Sequence, residues 1–262
     1  MPLHYARRVT GRDRTPEGDR RLGLILAFVA GAINAGGFLA VQQYTSHMTG
    51  LISAAADHLV LGHVEIVLSA FGGFVSFLAG STTAAMLVSF ARRRRAHSEF
   101  AFPLLLEAGL LLLFGLLGAS LAQVEGLFVP LTVMLLCFIM GIQNAVTSML
   151  PSGQIRTTHL TGHVTDIGVE LGKLLYWNRH DRQMARIVAN RPRLVSLILL
   201  VLLFFAGGVI GALGFQSVGY LATVPIAGVL AWLAGVPAID DLIQTVRQRL
   251  GRASPSKGGS DP

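Results

Sequence analysis

Two hexapeptides carry most of the polar chemistry in this chain. Thr45-Ser46-His47-Met48-Thr49-Gly50 and Thr157-Thr158-His159-Leu160-Thr161-Gly162 are copies of one phrase, T-[ST]-H-x-T-G. Each copy brings hydroxyls and an imidazole into apolar surroundings, and His is the side chain whose charge changes near neutral pH. Hydroxyls beside the free N–H groups of a helix start form a patch suited to an anion or a small polar solute. A G-x-x-N element precedes each copy: Gly31-Ala-Ile-Asn34, with Asn34 13 residues before His47, and Gly141-Ile-Gln-Asn144, with Asn144 15 residues before His159. The candidate substrate-binding set is therefore Asn34, Thr45, His47, Thr49, Asn144, Thr157, His159 and Thr161. Simpler roles compete with it. Thr45 and Thr157 could cap helix starts, and the asparagines could satisfy backbone groups freed by helix breaks.

The second copy runs on into a charged stripe. His159, His163, Asp166, Glu170 and Lys173 are spaced i, i+4, i+7, i+11, i+14, which sets all five along one helical face. A His beside carboxylates can exchange protons, so His163, Asp166 and Glu170 suggest a proton relay or polar vestibule, with Asp57 and His58 as their counterparts after the first copy. His159, His163 and Asp166 are the weaker metal alternative, since two His four apart are a ligand spacing. Leu51 stands where the first copy would need its matching second His, and no Cys joins the set. No cofactor is expected. Glu107, inside an apolar run, has two candidate roles: an interfacial carboxylate paired with the Arg92–Arg95 cluster, or a proton-coupling group.

The elements that must position these residues are built for lipid. The chain is 52% hydrophobic and 13% charged, where an ordinary soluble domain is about a quarter charged. Six runs reach the roughly 20 residues needed to cross a hydrocarbon core about 30 Å thick: Leu22–Val41, Ile66–Phe90, Phe102–Leu121, Phe128–Leu150, Leu194–Phe215 and Val218–Ile239. The polar segments Thr45–Leu61 and Thr157–Trp177 cannot face lipid along their length, because a charge at a helix centre costs about 2.5–3.5 kcal/mol on insertion scales. If both crossed, Arg92–Arg95 and Arg156 would fall outside, against the positive-inside bias. If each enters and returns, every Lys and Arg lies on the cytoplasmic face.

The expected fold is thus an all-α integral membrane protein of about six transmembrane helices plus two re-entrant or broken polar helices. Each half reads span, polar segment, span, span, and an odd number of spans makes the halves inverted-topology repeats. The expected divisions are a cytoplasmic basic arm (1–21), a first repeat (22–122), a second repeat (127–240) and a disordered cytoplasmic tail (241–262). Inverted half-helices entering from opposite sides would bring His47 and His159 together near the midplane. Small residues four apart, Gly72, Ser76 and Gly80 in one half and Gly207 and Gly211 in the other, allow close helix approach and permit a homodimer.

The net charge of +7 follows from the positive-inside bias, and no recognition motif accompanies it, so nucleic acid is excluded as a partner. The single cysteine, Cys137, rules out an intramolecular disulfide. The polar start lacks the form of a cleavable signal, so the first helix is expected to stay in the mature protein.

"AGAINAGGF" leading into "TSHMTG", and "GIQNAVTSML" leading into "TTHLTGHVTDIG", resemble the YoaK-like family of bacterial inner-membrane proteins, over roughly Leu22 to Ile239. The resemblance implies a multi-pass protein of the bacterial inner membrane and no particular substrate or reaction. The residues themselves suggest a small secondary transporter or channel-like permease for a small polar or anionic solute or ion, with N- and C-termini cytoplasmic. Rivals from other classes are a metal-dependent intramembrane enzyme, activating water at His159, His163, Asp166 and Glu170, and a structural or regulatory membrane protein whose motifs only lock the halves together.

Overall fold

The computed structural model describes residues 15–94, 96, 98–121, 128–150, 157–176 and 186–253. Among them are eight α-helices and no strand: α1 (Pro16–Val41), α2 (Met48–Val60), α3 (Val64–Arg93), α4 (Ala101–Leu121), α5 (Phe128–Ser148), α6 (Leu160–Leu175), α7 (Arg191–Val218) and α8 (Thr223–Ala253). A 3-10 turn, Gly219–Ala222, joins the last two. Among the described residues five stretches are long and apolar enough to cross a membrane, and the last, Arg191–Asp240, takes in α7 and the first part of α8. This is a helical, multi-pass membrane protein.

Local chemistry sets the helix ends. Thr15 caps α1, its Oγ1 accepting from Gly18 N at 3.1 Å, with Pro16 and two acidic residues, Glu17 and Asp19, in the first turn. Asn190 caps α7 by accepting from Arg193 N at 3.1 Å. The α2–α3 turn is three residues long and needs the positive φ of Gly62, at 78°. At its far end α8 continues to Ala253, so residues 241–253 are helical where the sequence suggested a disordered tail. Most of the expected basic arm, the remaining tail, Arg95 and Arg156 lie outside the described residues.

Glycines decide which helices pair. A Cβ on Gly31 would collide with the carbonyl oxygen of Phe204, and one on Gly207 with that of Phe28, so α1 and α7 meet backbone to backbone. In the same way Gly141 is pressed on Phe77 O, and Gly80 on Phe138 O, along the α3–α5 seam. The two seams use corresponding residues: "FVAGAIN" (28–34) meets "FFAGG" (204–208), and "FIMGIQN" (138–144) meets "FLAGS" (77–81). The small-residue faces that permitted a homodimer are thereby used within the chain.

Direction follows from the same contacts. Gly207 faces Phe28 and Gly211 faces Ala32, so α7 runs parallel to α1; Gly73 faces Val133 and Gly80 faces Phe138, so α3 runs parallel to α5. Gln143 Nε2 donates to Leu26 O at 3.2 Å while Leu136 lies against Gly37, so α1 and α5 cross antiparallel. Helices α4 and α8 pack together on the remaining side, with Gly115 and Gly118 against Thr223 and Tyr220. The main core, including Leu26, Leu104, Met140 and Leu230, lies where α1, α4, α5 and α8 converge.

Candidate functional site

The two motif copies fold alike. Residues 45–46 and 157–158 are turns, and His47 and His159 then occupy the cap positions of α2 and α6. Neither imidazole makes a capping hydrogen bond. The capping role considered for Thr45 and Thr157 is therefore displaced by two residues.

The hydroxyl at the second motif position ties each turn to the preceding helix. Ser46 Oγ donates to Asn34 Oδ1 at 2.9 Å, and Thr158 Oγ1 makes the equivalent bond to Asn144 Oδ1. Asn144 also donates to Met140 O at 2.7 Å. Asn34 lies about two turns before the end of α1, so the chain leaves α1, doubles back about 10 Å and starts α2 beside the helix it has just left. Leu51 of α2 packs on Gly73 of α3, with the short turn between them, so α2 then runs back toward the end from which it came. The second half repeats this path: Asp166 and Glu170 of α6 lie opposite Arg193 and Asn190 of α7.

Thr45 and Thr157 are each 1% exposed, and both Oγ1 atoms are buried with no hydrogen-bond partner. An unmet buried hydroxyl costs about 1–3 kcal/mol. Two of them at matching positions, each beside an asparagine clasp, are the feature that sets this region apart from ordinary packing. A Cβ on Gly37 would lie 3.5 Å from Thr45 Oγ1, so the absent side chain leaves that hydroxyl room.

The remaining residues of the candidate set are less buried than the two threonines. His47, Thr49, His159 and Thr161 lie on exposed surface of the half-helices. Helix α2 packs on α3 and α6 on α7, and among the described residues neither half-helix packs along the other. Each turn is anchored to the asparagine of its own half, and the α1–α5 crossing is antiparallel. From the 26/143 and 37/136 contacts, Asn34 and Asn144 stand about 10 Å apart along that crossing.

The charged stripe of α6 faces the start of α7. His163 is 4% exposed and Glu170 1%. Glu170 accepts from Lys173 Nζ at 2.9 Å and from Asn190 N at 2.7 Å, and Arg193 reaches Asp166 at 2.9 Å. The Lys173 hydrogen bond, then the Asn190 N–H, hold the Glu170 carboxyl below its ordinary range against the opposing effect of burial. Among the described residues no three His, Cys, Asp or Glu side chains gather as a metal site, so His159, His163 and Asp166 do not form one. At the other end of the molecule His58 Nδ1 lies 3.0 Å from His63 Nδ1, and Asp57 is exposed.

Glu107 is fully buried, and neither carboxylate oxygen has a hydrogen-bond partner. The interfacial pairing with the Arg92–Arg95 cluster is overturned, because Arg92 bonds Glu99 and six residues of helix carry Glu107 away from that edge. Sequence inspection did not place Ser46, Thr158 or Arg193 in the binding set. The signal for the first two was present in the motif itself, where the variable position alternates only between Ser and Thr.

A family model described as "Protein of unknown function (DUF1275)" matches residues 22–236, which takes in both motif copies and every helix from α1 into α8. The chain belongs to this family. It is also 25% identical over 190 residues to the UPF0700 transmembrane protein YoaK of Bacillus subtilis (strain 168), across 72% of this chain and 80% of that protein. This agrees with the YoaK-like resemblance of the two motif regions. No solved structure matches.

Proposed function

We propose that this family member is a small secondary transporter or channel-like permease for a small polar or anionic solute. Six apolar helices cross the membrane, α2 and α6 are re-entrant half-helices, and the halves are inverted repeats. The observation that carries the proposal is the pair of buried, unpartnered Thr45 and Thr157 hydroxyls beside equivalent asparagine clasps. Irregular backbone and unmet polar groups at membrane depth are tolerated where they line a path or a site. The antiparallel α1–α5 crossing, with α1 on α7 and α5 on α3, is the packing that two oppositely oriented repeats produce.

Orientation follows from charge. The Arg92–Arg94 end of α3 lies at the same end of the bundle as the starts of α1 and α7, which carry Arg20, Arg21, Arg191 and Arg193. That end is cytoplasmic, as are both termini, in a bacterial inner membrane. Such a protein moves its solute unchanged, so no residue is assigned a catalytic step. Each solute half-site consists of a Thr hydroxyl, the clasped Asn and the free N–H groups at the start of α2 or α6.

The test separates transport from a purely structural lock. Thr45→Val and Thr157→Val remove hydroxyls that make no bond in this structure, so melting temperature in detergent should hold or rise. Uptake of candidate anions and polar solutes into proteoliposomes should fall at least tenfold. Unchanged uptake in both variants would remove the motif from the pathway; a large loss of stability would favour the structural role.

A further inference from the structure

We propose that Glu107 is an intramembrane proton-binding site whose charge changes as the core opens and closes. As the coupling step of a transporter it rests on the function proposed above; as a proton site it stands on geometry.

Glu107 lies two turns inside α4, flanked by the buried side chains of Leu104, Ala108 and Leu111, and is 0% exposed. Both its oxygens lack a partner, and so does Gln143 Oε1 on α5, whose neighbours Ile142 and Val146 belong to the same core. These are three buried acceptors with no donor. A proton on Glu107 removes an unpaired charge from an apolar interior, so the closed core is built around the neutral acid.

The groups on the elements packed against α4 leave Glu107 without a charge partner. Helix α3 carries Glu65, Arg92 and Arg93 only at its ends. Helix α5 carries no charged side chain, and its titratable group is Cys137. The 3-10 turn carries Tyr220, and α8 has no charge before Asp240. The chain's other candidate carboxylates differ: Asp166 and Glu170 are held by Arg193 and Lys173, and Asp57 is exposed. An unpaired acid buried in the core adds little to packing that an apolar residue would not, but it can release its proton to water once α4 separates from α5 or α8. In that step the O–H bond of the acid breaks, the proton leaves on the wetted side and a carboxylate remains until a proton returns.

The test uses the full chain in lipid vesicles and infrared spectroscopy at stepped pH, comparing the native protein with Glu107→Gln and Glu107→Asp. The expected result is a protonated-carboxyl C=O band that is absent from Glu107→Gln, shifted in Glu107→Asp, and lost reversibly as pH is raised. Identical spectra in the native protein and both variants would overturn the proposal. A band that persists at every pH at which the protein stays folded would also overturn it, leaving Glu107 as a permanently neutral packing group. If Glu107→Gln fails to fold, the shift in Glu107→Asp still assigns the band. Solute flux plays no part in this readout, so failure of the transport function and failure of the proton site are separate results.

Discussion

Gly141→Ala offers the sharpest test of how the halves are joined. A Cβ at Gly141 would meet three backbone atoms across the α3–α5 seam: Phe77 O, the Phe77 carbonyl carbon at 3.0 Å and Ser81 N at 3.0 Å. Ordinary contact begins at 3.4 Å, and backbone cannot rotate away as a side chain can. The helices must separate by about 1 Å, a gap that forfeits a quarter to a half of the dispersion energy at the contact. Overpacking of this kind costs about 1–3 kcal/mol. The opening also stretches Ser81 Oγ to Gly141 O, at 3.1 Å, and Ser76 Oγ to Met134 O, at 2.6 Å, each worth about 0.6 kcal/mol in a membrane protein. The expected loss is about 2–4 kcal/mol. Gly31→Ala should cost a similar amount, because its Cβ meets Phe204 O and Gly208 N on the α1–α7 seam. Gly109→Ala, Gly168→Ala and Gly172→Ala supply the control, since nothing lies within 4 Å of a Cβ there; helix propensity should make them neutral or stabilising by about 0.5–1 kcal/mol. Reversible unfolding in mixed micelles measures all five. If Gly141→Ala and Gly31→Ala unfold together with the controls, the close backbone seams are wrong.

The clasps should be unequal. Asn144→Ala removes bonds to both Thr158 and Met140 O at a site 8% exposed, so it should cost about 1–2 kcal/mol by the same unfolding measurement, against under about 1 for Asn34→Ala, which loses the Ser46 bond. The α6–α7 joint should weaken in acid. Because the Glu170 carboxyl is held below its ordinary range in the fold, its contribution is complete above the unfolded carboxylate range and is lost as pH falls through the lowered value. Glu170→Gln should flatten that acid-side fall in melting temperature and leave the neutral-pH curve with little slope; an unchanged acid slope would show that the joint does not depend on this charge. Thr45→Val and Thr157→Val, as set out above, should separate loss of flux from loss of stability.

The sequence by itself determined the long apolar helices and the two short polar helices, α2 and α6, that follow the motif copies. Apolar length sets which segments can cross lipid, and the duplicated T-[ST]-H-x-T-G phrases mark the same turn-then-helix twice, since those signals depend only on neighbours in the chain. Tertiary structure decided what each polar residue touches. Five residues of one-face periodicity identified the stripe containing His163 and Glu170, but Arg193 and Asn190, 20 or more positions away, turn it into a joint to α7. Proximity in sequence suggested the Arg92–Arg95 cluster as the partner of Glu107, whereas Glu99 lies nearer along the chain and the helix carries Glu107 into the core. The glycines looked suited to pairing chains, and only the crossing of α1 with α7 and α3 with α5 assigned them to the interior. Long-range packing chooses among partners that local pattern leaves equivalent, because a side chain's neighbours in space are set by how helices cross and not by its own helix.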